Sequence, residues 1–210
     1  MASDLEQRTQ AWHEIRLGKV TASRVSDVMA KGRTGVSATR ATYAGELVAE
    51  RLAGRHAASF SSPAMARGTE LEPDARACYQ FETGNDVVEI GFVDHPTIAM
   101  AGCSPDGLVG IDGLVEIKCC NAAKHIALLA GGSLDGQHVK QVVWQMACTG
   151  RQWVDLAYYN PDLPIEMQLH VRRIERDNEV IAEMEAAVSD FLAEVDATVA
   201  TLTGLYRKAA

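Results

Sequence analysis

The stretch that decides the fold runs from residue 103 to residue 119 and reads CSPDGLVGIDGLVEIKC. Alternate residues of a strand share a face, so Glu116 and Lys118 point to one side while Val115 and Ile117 point to the other. A carboxylate and an ammonium group therefore stand side by side on an otherwise apolar strand. Burying such groups is unfavourable unless they pair with each other or hold a metal ion. This strand is therefore a candidate for the functional site.

A hairpin joins this strand to the segment before it. Asp112-Gly113 is a tight-turn sequence between two predicted strands, 107–111 and 113–119. The turn folds the arms together and brings Asp106, which directly precedes the first arm, towards the charged pair. Two carboxylates and a backbone carbonyl are hard oxygen ligands that suit Mg²⁺ or Mn²⁺. The arrangement is what a metal-dependent phosphodiesterase needs, with a lysine available to stabilise developing negative charge.

The rest of the chain predicts an α/β fold in which helices surround one central sheet. Apolar periodicity and capping residues predict the helices. These cover residues 4–15, 21–30 (capped by Thr21 or Ser23), 38–53, 62–84 (with a kink or a fresh start at Pro73), 121–130, 137–148 and 177–205. Alternation and turn residues predict strands at 87–93, 97–102, 107–111, 113–119, 153–159 and 165–174.

Composition and charge narrow the class of protein. The chain has 210 residues, of which 47% are hydrophobic, and this predicts a single globular domain over residues 1–210. It has no apolar run of 18 residues, no secretory signal pattern and five cysteines without a C-x-x-C pair, so we expect reduced thiols in the cytoplasm and no membrane partner. The net charge of −8 opposes indiscriminate coating of nucleic acid but is compatible with carboxylates that hold metal ions.

Other kinds of site find little support in the sequence. The six histidines form no H-x-x-x-H pair, and neither a G-x-S-x-G segment nor a Walker loop is present. The adjacent thiols of Cys119 and Cys120 invite interpretation as a nucleophile, but cysteines on a strand beside a lysine are more often buried packing residues.

Taken together, the ordered motifs resemble the YqaJ-type viral recombinase family, whose members are like phage lambda exonuclease and belong to the Pro-Asp…(Asp/Glu)-x-Lys nuclease superfamily. The resemblance covers nearly the whole chain and implies a restriction-endonuclease-like core, with a central mixed β-sheet flanked by helices. It rests on segments that read, in chain order, AWHEIRLG at 11–18, TAS at 21–23, RG at 67–68, Glu72, DAR at 74–76, CSPDGL at 103–108, LVEIKC at 114–119, QV at 141–142 and YYNP at 158–161.

The resemblance also implies a role for each residue of the motif. Asp106 and Glu116 would bind the metal ions, with the carbonyl of Ile117 as a further ligand. Lys118 would be the catalytic lysine, and Gln141 would help to position the water or the scissile phosphate.

A second group of residues is implied to recognise the DNA end. Arg16 and Ser23 match family positions that hold the terminal 5′-phosphate, and the helical part at about residues 1–60 would contribute to end binding. A guanidinium group binds phosphate through two parallel hydrogen bonds, which fits this role. From the residues alone, ion pairing of Arg16 with Glu14 or Asp27 is the alternative.

The family's remaining acidic position corresponds to Glu72, which would complete the acidic cluster. Glu70 lies on the same segment and competes for that role, and a helix cap or a solvated position beside Pro73 is the simpler alternative for Glu72. Gln141 is open to interpretation as a surface residue of its helix. Asp94 is nearest to a further acidic position of the family but is out of register by one residue, so it stays outside the expected site.

The implied activity is that of a Mg²⁺-dependent exonuclease, with Mn²⁺ as a substitute. It would degrade one strand of linear double-stranded DNA from the 5′ end, release 5′-mononucleotides and leave a 3′ overhang for phage-type recombination. The family forms ring-shaped homotrimers and works with a single-strand annealing protein, so we expect both in a phage or prophage protein of a bacterial host. The alternatives are an endonuclease of the same fold and an inactive DNA-binding or assembly module.

Overall fold

The computed structural model of the protein describes residues 6–33, 35–56 and 62–206. Its strands, in chain order, are β1 (Val20–Thr21), β2 (Val87–Val88), β3 (Val93–Asp94), β4 (Ala101–Cys103), β5 (Gly107–Val109), β6 (Gly113–Cys119), β7 (Trp153–Tyr159) and β8 (Leu169–Glu175). Its helices are α1 (Gln10–Ile15), α2 (Val25–Val28), α3 (Ala38–Ala53), α4 (Pro63–Thr83), α5 (Ala122–Leu129), α6 (Gly136–Thr149) and α7 (Asn178–Tyr206).

The strands of the described chain form two sheets, so the expectation of a single sheet is wrong. The larger sheet is mixed and has the order β2-β5-β6-β7-β8, with β6 and β7 parallel and the other pairs antiparallel. The smaller sheet has the order β1-β4-β3. The split arises because the predicted strand 87–93 is two strands, β2 and β3, which join different sheets. The predicted central mixed sheet flanked by helices is confirmed.

The hairpin that carries the motif is confirmed, but its turn lies earlier than predicted. The strands β5 and β6 pair antiparallel with Val109 opposite Gly113, so the connecting residues are 110–112. Gly110 adopts the left-handed conformation (φ 52°) that glycine tolerates best. Gly113 belongs to β6, where a Cβ atom would come within 2.1 Å of the Trp153 ring.

Several helices begin where the sequence places a capping side chain. The side chains of Ser62, Asn121 and Asp135 accept hydrogen bonds from backbone N–H groups in the first turns of α4, α5 and α6. These contacts satisfy donors that have no partner inside the helix. The α4 helix continues through Pro73, so the predicted fresh start at that residue is wrong.

The N-terminal elements differ more from expectation. The α1 helix begins at Gln10, with Thr9 as its cap, rather than at residue 4, and residues before 6 lie outside the described part. Thr21 accepts no capping hydrogen bond, because Val20 and Thr21 pair in parallel with β4 as the strand β1. The 3₁₀ turn at Ala22–Arg24 and the short α2 take the place of the predicted helix 21–30.

The C-terminal strand is also shorter than the alternation predicts. Ile165–Met167 form a 3₁₀ turn, and β8 begins only at Leu169. Ile165 and Met167 are exposed, so the apolar members of that alternation do not all face the core.

The long C-terminal helix closes the main core. The apolar residues that recur at helical spacing along it are buried at Ile181, Met184, Val188, Leu192 and Val195. These side chains share one apolar cluster with residues of α2, α3, α6 and both sheets. In the described ranges, none of the helices combines the length and apolarity that crossing a bilayer demands.

Candidate active site

The site forms where β5 leaves the edge of β6. Pairing between these strands ends with Gly107 opposite Val115, so the edge of β6 is open beyond that point. Asp106, the residue before β5, fills the opening: its Oδ2 accepts a hydrogen bond of 2.7 Å from the backbone N–H of Ile117. The N–H and C=O groups of one strand residue point to the same edge, so the Ile117 carbonyl is also on the Asp106 side. The hairpin therefore brings these two predicted ligands together.

Glu116 and Lys118 form the ion pair that their spacing predicts. The distance between Lys118 Nζ and Glu116 Oε1 is 2.7 Å. Gln141 of α6 binds both partners, since its Oε1 lies 3.0 Å from Lys118 Nζ and its Nε2 lies 2.5 Å from Glu116 Oε1. Gln141 therefore contacts both members of the ion pair rather than projecting into solvent, and its assigned role stays a prediction. Glu116 is buried, so these hydrogen bonds compensate for its loss of hydration.

Glu72 is the acidic side chain of α4 that faces this cluster. Glu70 is exposed, whereas the side chain of Glu72 retains 13% of its exposure and pairs with Arg76 at 3.0 Å and with Arg8. Of the two carboxylates that compete for the predicted position, Glu72 is the one whose charge contributes to raising the pKa of Asp106. Asp94 pairs with Lys19 at 2.6 Å, in agreement with its exclusion from the predicted site.

The charges of this region affect the pKa values of Asp106 and Lys118. Burial raises the pKa of Asp106 well above its usual range, and the negative charges of Glu116 and Glu72 add to the effect. Burial alone would lower the pKa of Lys118, but the charges of Glu116 and Asp106 outweigh it and raise that pKa. Burial and the two neighbouring carboxylates therefore disfavour the ionised form of Asp106, which a bound cation would favour.

A second polar group lies at the N-terminal side of the same loop. Arg16 follows α1, and its Nη1 donates to the hydroxyl of Ser104 at 3.2 Å. Trp12 donates from its Nε1 to the same hydroxyl at 3.0 Å, and the Arg16 guanidinium lies 3.8 Å from the centre of the Trp12 ring. We call Trp12, Arg16 and Ser104 the phosphate pocket, after the prediction that Arg16 holds a terminal phosphate.

Arg16 has the properties of an anion-binding group. Burial lowers its pKa to about 10, so it is a cation at neutral pH that has lost part of its hydration. Within residues 6–33, 35–56 and 62–206, no carboxylate pairs with it: Asp27 pairs with Arg24, and Glu14 accepts from Gln10. The alternative pairings of Arg16 are therefore wrong, and its charge is available for a ligand.

Ser23 is less closely tied to this pocket. It is exposed, and its hydroxyl lies 3.4 Å from that of Thr21. Among the contacts of the described residues, none joins Ser23 to Arg16 or Ser104. Its assignment to phosphate binding stays a prediction.

The neighbouring cysteines have no activated thiol. Burial raises the pKa of Cys119 to about 11 and also raises that of Cys120. A thiol with a raised pKa is a poor nucleophile, which favours the interpretation of these residues as packing. All five cysteines are free.

Sequence reasoning did not single out three residues of this region for a role: Trp12, Ser104 and Gln145. Trp12 precedes Arg16 by four positions, and Ser104 lies within the CSPDGL segment, so helical spacing and proximity to Asp106 were the available signals. Gln145 had a similar signal, because it follows Gln141 by one helical turn. Its Nε2 donates to Glu116 Oε2 at 2.6 Å.

The family model of the YqaJ-like viral recombinase domain matches residues 11–152, which include every residue of the site described so far. The chain belongs to the YqaJ-like viral recombinase family. The resemblance inferred from the motifs is thus confirmed, and the restriction-endonuclease-like fold with it. A comparison with curated proteins finds no match.

Solved structures agree with this family assignment. The alkaline exonuclease LHK-Exo from Laribacter hongkongensis, also solved in complex with dAMP, is 51% identical, with a TM-score of 0.89 over 96% of this chain and 100% of that chain. A phage-related exonuclease from Haemophilus somnus has the same fold, with a TM-score of 0.70 and 15% identity over 88% and 96% of the two chains. This YqaJ-like recombinase domain is accordingly a nuclease.

The donor set of the YqaJ-like domain fits a hard divalent cation. Asp106, Glu116 and the Ile117 carbonyl provide oxygen ligands only, and a cation there would favour the ionised form of Asp106. Among the described residues, no three Asp, Glu, His or Cys side chains lie close enough together to hold a metal ion, so the structure does not bring Glu72 into one ligand set with Asp106 and Glu116. An open site with two carboxylates is typical of Mg²⁺, which keeps several waters and also binds substrate phosphate.

Proposed function

We propose that this protein is a Mg²⁺-dependent exonuclease that degrades one strand of linear double-stranded DNA from its 5′ end. It releases 5′-mononucleotides and leaves a 3′ single-stranded overhang for phage-type recombination. One observation carries the proposal: the guanidinium of Arg16, which has no carboxylate partner among the described residues, contacts Ser104, and Ser104 is two positions from Asp106. A site for a terminal phosphate therefore adjoins the acidic cluster.

The phosphate pocket explains why cleavage would start at an end. Arg16 binds a terminal phosphate through charge-assisted hydrogen bonds, and the Ser104 hydroxyl adds a donor. Trp12 fixes the guanidinium by stacking against it. Because the pocket is built on the loop that carries Asp106, an end bound there holds the adjoining phosphodiester at the acidic cluster.

The acidic cluster explains how that bond would be broken. Mg²⁺, when bound by Asp106, Glu116 and the Ile117 carbonyl, supplies activation of water and neutralisation of phosphate charge, and Mn²⁺ supplies the same chemistry. Lys118 directs its ammonium group at the reacting phosphate and stabilises the negative charge that develops. Gln141 holds the ammonium at 3.0 Å and keeps it oriented towards the site.

The known relatives support the substrate and the product. The YqaJ-like family is one of viral recombinases, and LHK-Exo was solved with dAMP, a mononucleotide of the kind this reaction releases. Assembly as a ring-shaped homotrimer and cooperation with a single-strand annealing protein complete the proposal. Light scattering coupled to size-exclusion chromatography tests the trimer, and co-purification with the annealing protein of the same phage genome tests the partner.

The decisive experiment compares linear duplex DNA with covalently closed circles, in Mg²⁺ and in EDTA. The proposal predicts Mg²⁺-dependent release of mononucleotides from the 5′ end of the linear substrate, no cutting of circles and no release by Asp106→Ala. Cutting of closed circles would instead identify an endonuclease. Binding of DNA ends without any Mg²⁺-dependent release would identify an inactive binding module.

A further inference from the structure

Gln145 holds the oxygen of Glu116 that faces away from Lys118. Glu116 Oε1 accepts hydrogen bonds from Lys118 Nζ and Gln141 Nε2, at 2.7 and 2.5 Å. Glu116 Oε2 accepts from Gln145 Nε2 at 2.6 Å. The two oxygens of one carboxylate therefore have different surroundings, with Oε1 among the site residues and Oε2 turned towards the core-facing side of α6.

The burial of Gln145 shows that this contact is not a surface coincidence. Gln145 is fully buried, and Glu116 retains only 3% of its exposure. The Oε1 atom of Gln145 has no hydrogen-bond partner among the described residues, so its side-chain amide is tied to Glu116 alone. A buried acceptor without a partner is unfavourable, and an apolar side chain would avoid it. An amide at this position is therefore better explained by the carboxylate that it orients than by packing.

Helix geometry makes the contact one half of a clamp, which consists of the side-chain amides of Gln141 and Gln145. Gln141 and Gln145 are four residues apart, so both side chains project from the same face of α6. One amide donates to each oxygen of Glu116. Two donors at opposite oxygens fix the rotation of the carboxylate plane, which neither donor fixes by itself.

We infer that Gln145 is a positioning residue of the metal site, which holds the carboxylate plane of Glu116 in a fixed orientation for a bound divalent ion. The inference rests on the proposed function, because it assumes that Glu116 is a metal ligand. Partners that orient a ligating side chain typically affect metal affinity by about 10–100-fold when they are removed.

The experiment measures Mn²⁺ binding without DNA, by electron paramagnetic resonance of free Mn²⁺ in a titration. Gln145→Met keeps the unbranched shape of the side chain but removes the donor. We expect its Mn²⁺ affinity to fall by about tenfold. Gln137→Met is the matched control, because Gln137 is an exposed residue of the same helix, and its affinity stays at the wild-type value.

Two further readouts separate positioning from a general structural role. In a Glu116→Gln background, the additional change Gln145→Met has no further effect on Mn²⁺ affinity, because the clamp acts through that carboxylate. With 5′-phosphorylated duplex, Gln145→Met lowers kcat and leaves KM near the wild-type value, since the phosphate pocket is intact.

The outcomes distinguish this inference from the proposed function. Absence of Mn²⁺ binding by the wild type contradicts both. If circular dichroism shows that Gln145→Met is folded and its Mn²⁺ affinity equals that of wild type, the inference alone is overturned. It is also overturned if Gln145→Met lowers Mn²⁺ affinity as much in the Glu116→Gln background as in the wild-type background. If Gln145→Met fails to fold, Gln145→Asn, which keeps the amide on a shorter side chain, is measured by the same criterion: weaker binding supports the clamp and unchanged binding overturns it.

Discussion

The guanidinium of Arg16 donates to the hydroxyl of Ser104 at 3.2 Å, and this contact joins the end of the first helix to the loop that carries Asp106. The two residues are 88 positions apart in the chain. The contact places a cation without a carboxylate partner in the described chain beside a cluster of acids. A guanidinium available for an anion thereby lies two residues along the loop from Asp106.

Removing this cation tests end recognition. We expect Arg16→Ala to lose the preference for 5′-phosphate over 5′-hydroxyl ends, because the charge-assisted hydrogen bonds to phosphate are gone. The loss of about 1.5–3 kcal/mol corresponds to a rise of KM for phosphorylated ends by about 10–150-fold. Steady-state kinetics on the two substrates measure it. Arg55→Ala, at an exposed position, is the control. An undiminished preference of Arg16→Ala for 5′-phosphate ends would show that Arg16 does not bind the terminal phosphate.

Lys118 supplies a second prediction, which includes pH dependence. We expect Lys118→Met to lower kcat by about 10²–10³-fold, as loss of a single stabilising donor does in other enzymes. Because the acids around Lys118 raise its pKa, the ammonium stays charged up to its ordinary pKa of about 10.4 and beyond. Any loss of activity caused by its deprotonation therefore begins above about pH 10.

The measurement is a pH–rate profile at saturating Mg²⁺. Lys140→Met, on the neighbouring helix α6, controls for the loss of a positive charge and keeps the wild-type rate. A Lys118→Met enzyme with wild-type kcat would show that the ammonium group has no part in the reaction.

Asp106 shows a conflict between stability and function. Since the pKa of Asp106 is raised in the folded protein, its stabilising contribution is complete below the unfolded pKa of about 3.9 and is lost as pH rises through the folded pKa. Asp106→Asn keeps an oxygen that accepts from the Ile117 N–H. We therefore expect this variant to be inactive yet more stable than wild type at neutral pH without metal.

The expected result is a higher Tm for Asp106→Asn than for wild type at neutral pH. Thermal unfolding in EDTA at pH 4 and pH 7.5 measures the change, with a larger difference at the higher pH. A Tm for Asp106→Asn below that of wild type at both pH values would contradict the conclusion that ionised Asp106 destabilises the folded protein.

A fourth prediction concerns a buried network that lies apart from the site. Asp155 of β7 accepts two hydrogen bonds of 2.8 Å from Arg173 and one of 2.7 Å from the hydroxyl of Tyr79. We expect Asp155→Ala to lower the free energy of unfolding by about 1–3 kcal/mol, because it leaves the buried hydroxyl of Tyr79 without its acceptor, whereas the partly exposed guanidinium of Arg173 regains water. Urea unfolding measures the change, and Arg172→Ala at an exposed position is the control. If Asp155→Ala lowers the free energy of unfolding by no more than the control does, the network is not stabilising.

Local patterns predicted much of this fold. The Asp112-Gly113 turn and the alternation before Lys118 predicted the hairpin and the face shared by the ion pair. The predicted helix 62–84 likewise begins at its capping residue, Ser62. These features depend on residues within a few positions of one another, so they can be predicted without the tertiary structure.

Two of the predictions that were wrong concern strand pairing between segments that are far apart in the chain. The segment 87–93 has the composition of one strand, yet its two ends pair with β5 and β4 in different sheets. Likewise, Thr21 has the residue type of a helix cap but pairs with Gly102. Strand pairing depends on partners far along the chain, and local propensity does not specify them.

The amino-acid sequence by itself determined the site's chemistry: an acid before a hairpin, an acid and a lysine on its second arm, and an unbranched amide in a later helix. Only the tertiary structure decided which groups meet. It brought Gln145 to Glu116 across 29 positions and left Arg16 facing Ser104 instead of a carboxylate. The physical reason is that periodicity reports the face on which a side chain lies, whereas its partner depends on how separate elements pack.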